Sequence, residues 1–250
     1  MRIVTFVNET KEAVIEKLLE VSGTGTCQRR LVPFSAGEAD VAVIRGGAIE
    51  KACITHLTMN GIKPPGTEEP IDYMVFQAEI FPENPRCPMG HLNTEWSLAG
   101  PGPYHMNLDL FPAITPSDAV IAARLAMDGV AEAHGIDRDA MRQGLDEHYN
   151  MAHWPAPLAS NTGCKLLDLQ DDRVDLFIAA YHTFFGAFTD ILDATKDAPV
   201  TESDTALKHR RNGRWLEYIT IKDPAVKMGL AAGLPPEVLI DLSYPPSATF

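Results

Sequence analysis

Apolar residues recur along the chain at two spacings, and the switch between them divides it into helical and extended segments. From Asn8 to Gly23 the positions Val14, Leu18, Leu19 and Val21 form a helical stripe. That stripe predicts a helix capped by Asn8 or Thr10 and closed by Gly23. Strand-like runs follow at residues 39–44, 48–58, 73–81, 90–97 and 104–111. Helical spacing returns from the Pro116-Ser117-Asp118 start to about His134, and again from about Asp137 through Tyr149. It is strongest from Asp172 to about Leu192, where Leu176, Ile178, Ala179, Phe184, Phe185 and Phe188 read as core or a dimer interface. Two closing strands are predicted at residues 214–222 and 238–243. A helix, a run of strands, then helices predicts an α+β fold: one domain over residues 1–250, with six or seven largely antiparallel strands and helices on both faces.

The charge balance narrows the partners. Lys and Arg number 21 against 34 Asp and Glu, a net −13, which argues against nucleic acid and anionic membrane surfaces. No run approaches ~18 apolar residues and the first residues carry no apolar signal core, so neither a membrane span nor a signal peptide is expected. The four cysteines contain no CxxC pair, a spacing that suits reduced thiols and a cytoplasmic location. GxGxxG, P-loop and GxSxG motifs are absent, so nucleotide-binding and α/β-hydrolase readings have no support.

Most of the candidate chemistry lies around Gly100-Pro101-Gly102-Pro103, where proline and glycine force a reversal. A turn centred near Gly100 pairs residues whose numbers sum to about 200, placing directly opposed side chains roughly 4.5–5.5 Å apart. The pairs are His91 with Asp109, Asn93 with Asn107, and Glu95 with His105. Period-two alternation puts all six on one face, with Leu92, Trp96, Met106, Leu108 and Leu110 on the other. Histidines, amides and carboxylates can donate, accept and titrate near neutral pH, which marks this face as catalytic or binding rather than merely solvated.

The same stretch resembles the oxygen-dependent coproporphyrinogen III oxidases. Asn84-Pro85-Arg86-Cys87-Pro88-Met89-Gly90-His91-Leu92-Asn93-Thr94-Glu95 is similar to that family's NPxxPTxHxNxR run, and Asp109-Leu110-Phe111-Pro112 to its DLTP. Arg45-Gly46-Gly47, the segment from Arg210 to Ile219, and the segment from Met228 through Pro246 extend the resemblance in the right order. It implies a coproporphyrinogen III oxidase-like fold, a homodimer, and oxidative decarboxylation with dioxygen that requires no cofactor. It also implies that His91 is the active-site histidine and Asp109 the acid–base carboxylate; on the residues themselves, Asn93 and Asn107 are candidates to fix the substrate and Arg214 to hold one carboxylate. The departures are consistent in kind: the family's arginines are replaced by Glu95, by an arginine-free segment from His153 to Asp168, and by Leu234. A four-carboxylate porphyrinogen needs guanidinium forks, so a smaller, less anionic substrate is expected.

Two further functions remain open on the residues alone. His91, Glu95, His105 and His153 supply the donor types for a divalent iron, manganese or zinc ion, which would make a metal-dependent oxygenase or hydrolase. His56 and Glu79 are additional candidates for the cleft. A non-catalytic protein that binds a tetrapyrrole or another small ligand is the third. His148 and Glu147 read as solvated, His209-Arg210-Arg211 as a solvated turn, and Cys87 as structural.

Overall fold

Ile3, Phe6 and Val7 continue the helical spacing of Val14, Ile15, Leu18 and Val21, so the first helix, α1 (Arg2–Ser22), begins earlier than Asn8. Phe6 earns that extension by packing edge-on against Phe177 and Tyr181, at 5.8 and 5.5 Å between ring centroids. The structure, a computed structural model, describes residues 2–63, 69–98 and 103–250. After α1 come strands β1 (Thr26–Phe34), β2 (Gly37–Gly46), β3 (Ile49–Ile62), β4 (Ile71–Pro82), β5 (Met89–Ser97) and β6 (Tyr104–Phe111). Helices α2 (Ser117–Ala133), α3 (Arg138–Arg142) and α4 (Leu145–His148) precede the last strand, β7 (Cys164–Leu169). Helices α5 (Val174–Thr195), α6 (Glu202–Ile221), α7 (Pro224–Ala231) and α8 (Pro236–Ser243) complete the described chain.

The seven strands form one antiparallel sheet in chain order, each paired with the next. At the β2–β3 reversal Gly46 and Gly47 adopt φ of 105° and 61°. A side chain at Gly47 would start 1.9 Å from the Ser22 carbonyl oxygen, so both conformation and space require glycine there. Helices cover both faces. On one, α1, α2 and α5 bury Ile54, Phe76, Leu92, Trp96, Met106 and Leu108. On the other, α6, α7 and α8 bury Val41, Cys53, Leu57, Val75 and Phe111. Phe184 and Phe188 are enclosed within the chain itself as core, while Ile178 and Ala179 of the same stripe are partly exposed. No helix among the described residues is long and apolar enough to cross a membrane.

Four sequence expectations need correction. Residues 214–222 lie largely in α6 and residues 238–243 in α8, not in strands. The stripe that α6 buries runs Lys208, Arg211, Asn212, Trp215, Tyr218 and Ile219, spaced three and four apart. Half of it is polar, so counting apolar residues alone left only the aromatic and branched end, which resembles a strand. Thr201 and Asp204 form a capping box at its start. Arg211 is buried and donates to the Phe111 carbonyl at 2.8 Å, so the basic run is not a solvated turn. The helix expected at 137–149 is broken into α3 and α4 by Gly144, at φ 82°. Strands β1 and β7 were not anticipated: they are the sheet edges, partly to largely exposed, so neither carries a regular alternation of buried apolar and polar residues.

Candidate functional site

Strands β4, β5 and β6 carry their polar side chains in rungs across one sheet face. Glu79, His91 and Asp109 are aligned as direct partners, then Gln77, Asn93 and Asn107, then Glu95 and His105. The three β5–β6 pairs are those expected from the turn, although Gly100, Pro101 and Gly102 themselves lie outside the described residues. Above this face, α7 and the end of α4 leave a cavity of about 570 Å³. His91, Asn93, Glu95, His105 and Asn107 line it, together with Tyr73, Gln77, His148, Asp168 and Asp223. Ile71, Leu167, Pro224 and Met228 supply apolar wall.

The innermost titratable pair is His91 and Glu79. His91 Nδ1 lies 2.7 Å from Glu79 Oε1, and the two side chains are 5% and 0% exposed. Gln77 Nε2 donates to the same carboxylate oxygen at 2.8 Å. Burial by itself would push the imidazole down, but the Glu79 carboxylate more than offsets this and holds His91 above its ordinary 6.5. With Nδ1 committed to Glu79, Nε2 is the position His91 presents to a bound molecule.

Asp109 is in a different situation. It is fully buried, and five donors converge on it from one loop: the backbone N–H groups of Ser160, Asn161, Thr162 and Gly163, and the Ser160 hydroxyl, at 2.9–3.2 Å. Burial pushes its carboxyl up, and the Thr162, Ser160 and Gly163 donors pull it back. The loop that wraps it includes Asn161 at a left-handed φ of 55°, a conformation asparagine tolerates. Asp109 is absent from the cavity wall, so the acid–base role expected for it does not match its place.

Glu95 accepts from Tyr73 Oη at 2.7 Å and Asn93 Nδ2 at 2.6 Å. His105 Nδ1 accepts from the Asp168 N–H at 3.3 Å, which leaves its proton on Nε2 when the ring is neutral. Asp168 itself holds φ 56°, rare for a residue with a side chain, beside a register shift between β6 and β7. Asp223 caps α7 by accepting from the Ala225 N–H at 2.7 Å. Burial raises its carboxyl to about 6. His148 Nε2 lies 3.0 Å from the Tyr218 hydroxyl, and burial first, then the Lys165 charge, drops its pKa to about 3.

Several expected members are elsewhere. His153 is exposed and pairs with Glu217 at 2.7 Å, and Arg214 stacks over Trp154 at 4.3 Å, both away from the cavity. Arg214 also donates to the Ala156 carbonyl, so it is not placed to hold substrate. His56 sits on the opposite face, stacked against Trp96. The metal set of His91, Glu95, His105 and His153 does not assemble, and among the described residues no trio of His, Cys, Asp or Glu converges as ligands. Leu234 is core, packed beside Gly229. Cys87 is buried, as a structural residue would be.

Sequence reasoning missed Asp223, Gln77 and Tyr73, and misplaced His148 in solvent. Asp223-Pro224 was legible as a cap followed by proline at the first helical position, but only once the preceding residues are read as helix rather than strand. No protein-family model matches the chain.

Proposed function

We propose that the chain is an oxidase acting with dioxygen on an organic molecule smaller and less anionic than coproporphyrinogen, bound against β4–β6. One observation carries the proposal: a shielded imidazole–carboxylate pair, His91 and Glu79, at a cavity large enough for such a molecule. In the overall reaction a substrate SH2 gives up two electrons and two protons, and dioxygen becomes hydrogen peroxide. The His91 imidazolium gives its Nε2 proton to the reduced oxygen and takes one back from the substrate, the second proton passing from substrate to peroxide through solvent, so the protein ends unchanged. Glu79 stabilises the protonated ring throughout. Tyr73, Glu95 and the three amides position the substrate.

The absence of Lys and Arg from the residues that line the cavity is what disfavours a polycarboxylate. Coproporphyrinogen III, kept reduced and started with oxygen, is therefore expected to show no conversion above background. Rapid conversion would refute the inference from the lost arginines. Oxygen-electrode and peroxide assays across electron-rich nitrogen heterocycles test the oxidase itself. A substrate-dependent oxygen uptake is expected, lowered on the order of 10²–10⁴-fold in His91→Gln, the range for removal of a general acid. Uptake that His91→Gln leaves intact would remove His91 from the chemistry, and no uptake across the set would remove the oxidase assignment.

A further inference from the structure

The cavity is lined by hydrogen-bond acceptors to an unusual degree. Gln77, Asn93 and Asn107 form one rung, so their amides are spaced across three adjacent strands at roughly 4.8 Å intervals. The orientation of two of them is decided by their neighbours. Asn93 Nδ2 lies 2.6 Å from Glu95 Oε1 and Gln77 Nε2 lies 2.8 Å from Glu79 Oε1. An ionised carboxylate can only accept, so each amide must turn its N–H to the carboxylate and its carbonyl oxygen away. Asn93 is 6% exposed, and its Oδ1 is buried without a partner among the described residues, as is Asn107 Oδ1. Buried polar atoms in native proteins are normally hydrogen-bonded, so these oxygens call for donors from outside the chain.

Charge points the same way. Glu95, Asp168 and Asp223 line the cavity, and none of the described residues that line it is Lys or Arg. The cation in its wall is His91, which is paired with Glu79; Lys165 and Lys222 bear on it from behind His148, and Lys222 is held by the carbonyls of Glu147 and Asn150. Among the described residues the donors to Glu95 are neutral, Tyr73 and Asn93.

We infer that this cavity recognises a flat ligand carrying two or more N–H donors and a neutral or positive charge, of the amidine or amino-heterocycle class. Its N–H edge lies along the Gln77–Asn93–Asn107 rung, its charge faces Glu95 and Asp223, and its apolar plane rests against Met228 and Ile71. The inference deepens the proposed function, since it names the substrate class of that same cavity, but it concerns binding and not turnover.

Benzamidine, benzamide and benzoate test it, because they share a size and shape and differ in charge and in N–H donors. Binding to the full chain is read by ligand-observed NMR at millimolar concentrations. The expected order is benzamidine, then benzamide, then benzoate, with at least about tenfold between first and last, a modest reward for matched charge in a partly buried site. Glu95→Gln and Asp223→Asn should each shrink the preference for benzamidine over benzamide several-fold. Asn93→Leu should weaken benzamidine and benzamide together, and a thermal melt of each variant shows that it is folded. Benzoate binding best, equal binding of all three, no binding by any, or a preference unchanged in folded Glu95→Gln and Asp223→Asn would overturn the inference. Since none of these readouts involves oxygen, failure here leaves the His91 oxidase test standing. Loss of the His91 effect likewise leaves the ligand class standing.

Discussion

Asp109→Ala is expected to destabilise the protein by about 3–5 kcal/mol, because it orphans five donors at once in a buried site. Bonds to a charged acceptor contribute roughly 1.5–3 kcal/mol each, but those in one loop are not additive, and removing the buried charge itself returns some solvation cost. A loss of that size is a large fraction of the 5–15 kcal/mol typical of a whole domain. At roughly 2–4 °C per kcal/mol for a chain of this length, the melting midpoint should fall by about 10 °C. Urea denaturation and calorimetry give both figures. Asp109→Asn should lose less, since its amide oxygen still accepts on one side, and the folded Asn variant should keep most of its activity. A fully folded Asp109→Asn protein with activity reduced a hundredfold would restore the acid–base role that the sequence suggested, and a loss under about 1 kcal/mol for alanine would mean that the carboxylate does not hold the loop.

Glu79→Gln is expected to lower the pKa of the His91 proton donor while leaving its shape in place. In the wild type the carboxylate keeps His91 protonated above its ordinary 6.5 despite burial. Without that charge burial is opposed by Asp223 and Asp109 alone, so the pKa of His91 falls. The sign follows directly. A step that needs the imidazolium is fully available at low pH and is lost as pH rises through the folded pKa of His91. In Glu79→Gln that falling limb moves to lower pH, so the rate along the limb drops. Stability moves in parallel: the contribution from the raised His91 pKa is complete below 6.5, disappears as pH rises through the folded value, and is missing from the variant. The His91 ring proton resonances report this titration by NMR with no substrate present. A midpoint unchanged in Glu79→Gln would show that Glu79 does not set the charge of His91.

Local patterning carried much of the site. Period two along β5 and β6, with a turn rich in proline and glycine, is sufficient to pair His91 with Asp109, Asn93 with Asn107 and Glu95 with His105, because register in a short hairpin depends on residues a few positions apart. The helical stripes of α1, α2 and α5 are legible for the same reason: their buried faces are mostly apolar, with a few residues such as Thr10, Lys11 and Thr189 as exceptions. Helix α6 was not, since it buries Lys208, Arg211 and Asn212, whose partners are Glu50, the Glu83 carbonyl, the Phe111 carbonyl and the Ser247 carbonyl. A buried polar residue looks like a solvated one until its distant partner is known.

The same limit divided the two carboxylates beside His91. By itself the sequence determined that the polar face exists, which strands carry it, and that Asp109 stands across from His91. Only the tertiary structure decided that Asp109 is consumed by the loop at residues 160–163, more than fifty positions away, so that Glu79 on the neighbouring strand makes the ion pair. It also decided that α7 brings Asp223 over the sheet, while His153 and Arg214 remain outside the cavity. Alternation along a strand is written in neighbouring residues, whereas desolvation and partner choice depend on which distant segments dock over them.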